Sequence, residues 1–123
     1  MRLFNSGVSQ SETSKHRALV VGYCQGNGLD LGSAGDPIIP TAIQVELPES
    51  YCPLFDGRYP PQLRGDATNL HWFRSRVFDF VFSSHLLEDF EADKQKAILG
   101  EWGRVVKPGG QLVVIAPEYE RWK

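Results

Sequence analysis

Basic residues are not in excess in this sequence: 13 Lys and Arg stand against 15 Asp and Glu, a net charge of −2 with histidine neutral. A dedicated binder of nucleic acid or of an anionic membrane normally shows a basic excess, so there is no strong nucleic-acid signal. Cysteine is scarce. Cys24 and Cys52 lie 28 residues apart, with no CxxC pair and no Cys/His spacing of a zinc site. Neither a structural metal nor a disulfide framework is expected, and a reduced, cytoplasmic setting is. Long apolar runs are missing too. The longest, residues 112–116, is far too short to cross a bilayer. Residues 1–7 carry one arginine with no apolar stretch behind it, unlike a secretory signal.

What is present fits one domain. The 123 residues are 41% apolar and 23% charged, enough for a core that buries roughly two thirds of the unfolded surface. Residues 1–10 are polar and serine-rich and read as a flexible arm, with a single domain over 11–123. Ser9-x-x-Glu12 fits a capping box and Ser11 is a second cap candidate, so a helix is expected over residues 12–23. A short strand follows at 28–32. Six of the eight prolines then fall between Asp36 and Pro61. They predict loops, broken by one short strand at 42–46, with little room for a helix between the first two strands.

A third short strand and turn is read at 62–66. The most strand-like segment is 77–83, β-branched and aromatic and apolar on both faces, as in a central covered strand. A helix fits from Asp89 or Glu91 to Val105, with Glu88 and Asp89 expected to cap it. Lys107-Pro108-Gly109-Gly110 reads as a turn, and residues 111–117 as a fifth apolar strand. The pattern is α/β: a Rossmann-like, mainly parallel sheet of about five strands. In such sheets ligands sit at the carboxyl ends of the strands, near the point where strand order reverses.

The residues that follow each strand suit a nucleoside. Asp30-Leu31-Gly32-Ser33-Ala34-Gly35-Asp36-Pro37 is a loop of small residues that lets backbone N–H groups approach a ligand, or is an ordinary glycine turn. It is not a GxGxxG fingerprint. Glu46 ends the second strand, where a carboxylate can accept from both hydroxyls of a ribose, or be a solvated loop residue. Asp66 opens the next loop, where it can accept from an exocyclic amine such as that of adenine, or form an Asx turn. The fourth strand ends in Ser83-Ser84-His85-Leu86-Leu87-Glu88-Asp89.

With these segments the sequence resembles the class I S-adenosylmethionine-dependent methyltransferases. Residues 28–37 resemble the family's glycine-rich first motif, 43–46 its acidic second-strand end, and 65–67 its adenine-side motif. Residues 78–88 resemble its fourth-strand motif, and 101–112 its helix, turn and fifth strand. The resemblance covers about residues 26–117. It implies S-adenosylmethionine as cofactor, with Asp30, Gly32, Ser33 and Ala34 lining its methionine end. Glu46 would bind the ribose, Asp66 with Ala67 the adenine, and Ser83 and His85 would stand near the sulfonium and the acceptor. Ala34 takes the place of the usual second glycine. The family sheet usually has seven strands, ending in an antiparallel pair beyond the fifth; only about five are found here. The fifth strand is therefore expected at a sheet edge, covered by the amino-terminal arm, the tail or, as a homodimer, a second copy.

His85 is the one well-placed candidate base, because its neutral form accepts a proton near pH 7; packing at the strand-to-helix turn is the plainer alternative. His16 and His71 read as surface residues, and Trp72 and Phe73 as core or pocket wall. The methyl acceptor is not legible. A catalytically inactive cofactor-binding or interaction module of the same fold is the alternative function, with another nucleotide-binding α/β protein behind it.

Overall fold

A computed structural model describes residues 2–6, 12–33, 36–46 and 63–117. Cys52, the rest of 47–62 and the tail 118–123 lie outside the described residues. In chain order the strands are β1 (Arg2–Ser6), β2 (Gly28–Leu31), β3 (Ile43–Glu46), β4 (Leu63–Arg64), β5 (Phe78–Ser84) and β6 (Val106–Pro117). The helices are α1 (Glu12–Val20) and α2 (Ala92–Arg104), with 3-10 turns at Val21–Tyr23 and Leu87–Asp89. The strands form one sheet in the order β1-β6-β5-β2-β3-β4, parallel at every described pairing. The order reverses between β2 and β5, where β3 and β4 run off to one side and β6 and β1 to the other.

Both faces are covered, which is why the central strands are apolar on each. Leu29, Leu31, Val45, Val81 and Val114 pack with Ile98 and Trp102 of α2. On the opposite face Phe80, Phe82, Val113 and Ile115 pack with Val20 of α1, Cys24, Ile38 and Ala42. Side chains alternate across a strand, so Asp30, between two leucines of the first cluster, turns toward the second. Cys24 is buried there as a free thiol, and burial pushes its pKa up to about 12, with Asp30 adding to the effect. No helix among the described residues is long and apolar enough to cross a membrane.

Three expectations need correction. Residues 2–6 are not part of a loose arm: they form β1, which pairs in parallel with β6 from Arg2↔Val113 to Ser6↔Pro117. The amino-terminal segment thus covers the free side of β6, the first of the three covers expected for it, and takes the place that a second copy would need for a homodimer through that edge. A parallel strand stands where the resemblance implied an antiparallel one. The second correction concerns α2. Glu88 and Asp89 belong to a separate 3-10 turn, and Glu91 precedes the helix without a side-chain cap. The turn at 107–110 is a bulge inside β6: between Phe78↔Val106 and Phe80↔Gln111, β5 advances two residues and β6 five.

Gly100 lies in the interior of α2 on its exposed face, and a Cβ there would meet nothing within 4 Å. Gly100→Ala removes the entropy cost of a helical glycine without a clash. It should stabilise the fold by about 0.5–1 kcal/mol, read as a higher urea midpoint at unchanged m-value.

Candidate functional site

At the reversal point β2 and β5 lie side by side, with Asp30 opposite Phe82 and Leu31 opposite Ser83. Asp30 is fully buried. Its Oδ2 accepts from the Ile38 N–H at 2.7 Å, while Oδ1 has no hydrogen-bond partner among the described residues. Burial pushes the carboxyl up to about 8; the Ile38 N–H and Arg17 oppose this, and Glu46 and Asp36 add to it. A buried carboxyl with one unserved oxygen, among other acids, is a natural seat for a cationic group.

The turn after β2 is shaped by Gly32, whose φ of +75° is left-handed and whose N–H donates to the Val45 carbonyl at 3.0 Å. Ser33 is buried and its hydroxyl donates to Gln44 Oε1 at 2.5 Å. That bond ties the loop to β3. Ala34 lies outside the described residues. The segment after it, 36–38, is held from α1: Arg17 donates to Asp36 Oδ1 at 2.6 Å, the Pro37 carbonyl at 2.9 Å and the Ile38 carbonyl at 3.2 Å. The described residues between β2 and β3 hold no helix, in line with the proline reading.

Glu46 ends β3 half-buried, in register with Arg64 of β4. Beyond β4, Asp66 is exposed and folds an Asx turn, its Oδ1 accepting from the N–H and hydroxyl of Thr68 at 2.8 and 2.7 Å. The Ala67 carbonyl accepts from the indole of Trp102 at 2.9 Å. The rest of this loop is held by the last turn of α2. Glu101 accepts from the Leu70 N–H at 2.8 Å, and Arg104 donates to the carbonyls of Leu70 and Phe73 at 3.0 and 3.1 Å. Glu101 and Arg104 pair with each other, which holds the Glu101 carboxyl below its usual range. Trp72 is 46% exposed rather than core, its ring filling the space that a side chain on Gly65 would need. Phe73 does join the core, edge-on to Phe78 at 4.9 Å.

Ser83 is fully buried, and its hydroxyl, like that of Ser84, has no partner among the described residues. His85 follows with φ +56°, a left-handed conformation that a non-glycine residue adopts at a cost. Its N–H donates to the Ile115 carbonyl at 2.8 Å, and Nδ1 lies 3.1 Å from Glu88 Oε2. Glu88 thus orients the imidazole instead of capping α2.

The structure therefore brings Asp30, Gly32, Ser33, Glu46 and Ser83 to the carboxyl ends of β2, β3 and β5, and His85 to the turn after β5. Asp66 and Ala67 stand past β4, further along the sheet. Three contributors escaped the sequence: Gln44, Arg17 and the Glu101/Arg104 pair. Of these only Glu101-x-x-Arg104 leaves a local signal, an i,i+3 ion pair. A cleft of about 330 Å³ lies at the other end of the sheet, between Tyr23, Gln25, Asp79 and the 107–110 bulge. It stands apart from the strand ends where ligands of such sheets sit.

Comparison with known proteins agrees with this geometry. A solved structure of a candidate methyltransferase from Bacillus halodurans C-125 superposes with a TM-score of 0.64 over 85% of this chain, at 18% sequence identity. The chain spans about half of that protein, 50% of its length. No curated protein matches the sequence. The methyltransferase domain family matches residues 19–114, from within α1 to near the end of β6, and so takes in every strand that borders the reversal point. By fold, by strand order and by this match, the chain belongs to the methyltransferase domain family.

Proposed function

We propose that the chain transfers a methyl group from S-adenosylmethionine to an acceptor at the carboxyl ends of β2, β3 and β5. One observation carries this reading. The two strands that flank the reversal point each end with a buried polar atom that has no partner among the described residues, Asp30 Oδ1 and Ser83 Oγ. Such atoms cost about 1–3 kcal/mol each unless something serves them, and a cofactor with a cationic, polar methionine end suits both.

Asp30 would face the cationic methionine end, with Gly32, Ser33 and Ala34 around it. Glu46 would accept from the ribose hydroxyls, and Asp66 with Ala67 would meet the adenine. When bound, S-adenosylmethionine supplies an electrophilic methyl group on a positively charged sulfur. The chain's work is then orientation and charge. Acidic groups at the strand ends favour a cation, and the closed loop backbones keep the site in shape. His85 would take a proton from the acceptor. With Nδ1 directed to Glu88, the neutral ring leaves Nε2 as its basic atom.

Calorimetric titration with S-adenosylhomocysteine tests the cofactor half. The wild type should bind at micromolar concentrations. Glu46→Ala should bind about 10–100-fold more weakly, the loss of hydrogen bonds to a charged acceptor. No binding by the folded wild type would sink the reading. The catalytic half is tested by His85→Asn, since asparagine tolerates the left-handed backbone. It should keep the affinity and lose about 100-fold or more in methyl transfer. A wild type that binds the cofactor but methylates nothing in a broad acceptor panel would favour a binding module.

A further inference from the structure

Arg17 sits on α1, before the first motif begins, yet its side chain reaches the end of that motif and the residue after it. Its guanidinium donates to Asp36 Oδ1, the Pro37 carbonyl and the Ile38 carbonyl, and also to Ser14 Oγ at 3.3 Å. Ser14 Oγ in turn donates to Asp36 Oδ2 at 2.6 Å. Ile38 is thereby gripped at both ends of its backbone. Arg17 holds its carbonyl, and its N–H donates to Asp30 Oδ2. Its side chain is buried in the cluster beneath α1. The chain of contacts runs from Arg17 through one residue to the buried carboxyl of β2.

We propose that Arg17 is a positioning residue for the cofactor end of the site: through residues 36–38 it fixes the place and the charge state of the Asp30 carboxyl. A planar fork suits this task, because three acceptors lie within reach of one side chain; a lysine could serve them only in part. The electrostatics run the same way. The ionisable groups around Asp30 are Arg17 from α1, Cys24 before β2, Asp36 in the loop and Glu46 at the end of β3. Cys24 is held neutral by burial. Of these, Arg17 alone favours the ionised carboxylate, and the two acids oppose it.

This rests on the cofactor reading only for its ligand arm, so two measurements are needed. The first uses the free protein: the Asp30 side-chain carboxyl carbon followed by NMR from pH 5 to 10, in wild type, Arg17→Gln and Arg17→Lys. The wild type should titrate near pH 8, Arg17→Gln clearly higher, and Arg17→Lys close to wild type because the charge is kept. The second is S-adenosylhomocysteine affinity across pH 6–8.5. Wild-type affinity should rise with pH, by up to tenfold per unit below the Asp30 midpoint, as ionisation supplies the partner for the ligand's ammonium. Arg17→Gln should bind about tenfold more weakly at pH 7.5, and Arg17→Lys should recover part of that loss. If Arg17→Gln leaves both the Asp30 titration and the pH profile at wild-type values while merely lowering the melting temperature, the residue is structural and the proposal fails. If the titration moves but no form binds the ligand, the positioning role stands and the cofactor reading falls.

Discussion

Replacing Trp102 by alanine should cost about 3–5 kcal/mol of stability, a large part of what a domain of this size has to lose. The indole is fully buried between α2 and the sheet, in the cluster that holds Leu29, Leu31 and Val81. Its removal leaves a cavity in close-packed surroundings, and it also strips the Ala67 carbonyl of the N–H that serves it. The two losses separate in Trp102→Phe, which keeps most of the packing and gives up the hydrogen bond. That variant should cost about 1–3 kcal/mol. Urea unfolding measures both. Because Ala67 lies in the loop assigned to the adenine, Trp102→Phe should weaken S-adenosylhomocysteine binding more than its stability loss alone would suggest. A phenylalanine variant as unstable as the alanine one would show that the bond to Ala67, not the packing, dominates.

Asp30→Asn should make the protein more stable and disable its cofactor end. The carboxyl ionises near 3.8 when free and at about 8 in the fold. Below about pH 4 it is protonated in folded and unfolded chains alike, and costs nothing. Between these values the unfolded chain ionises while the folded one keeps its proton, so stability falls as pH rises; above about 8 the whole cost is present. The interval sets a ceiling of about 6 kcal/mol. An asparagine carries no such cost and can still accept from the Ile38 N–H. Its melting temperature should match wild type near pH 4, pull ahead as pH rises, and hold a constant lead above about 8. Binding of S-adenosylhomocysteine should be lost at every pH. A lead that does not change with pH would mean that Asp30 is ionised in the fold throughout.

The parts of the fold legible in the sequence are those whose neighbours are local or uniformly apolar. Residues 77–83 announced β5 because a strand covered on both faces has nowhere to put a polar side chain except at its ends. The helix read to Val105 is legible for a like reason: Ile98 and Trp102, four positions apart, put two apolar side chains on one face. β1 was missed because a strand at the rim of a sheet draws its stability from main-chain hydrogen bonds, which no side-chain pattern records; Arg2, Asn5 and Ser6 look like coil. Glu88 was misplaced because a 3-10 turn stands before α2 and turns its carboxylate back to His85. In the site, Asp30 and Glu46 could be read from their place at strand ends. The loop contacts of Arg17 and Arg104 could not, since they reach across 19 to 34 positions of chain. The Asx turn at Asp66 is a third kind of case: the local signal was correct, and whether the same carboxylate also meets a base depends on what is bound.

The pairing of β1 with β6 joins residues 111 positions apart, from Arg2 to Val113. Bringing such distant segments together costs loop entropy that only an otherwise organised sheet can offset. On a translating ribosome, Val113 leaves 111 residues after its partner Arg2. Until then the segment must travel with the nascent chain as an unpaired strand, open to capture by a neighbouring copy or by a chaperone.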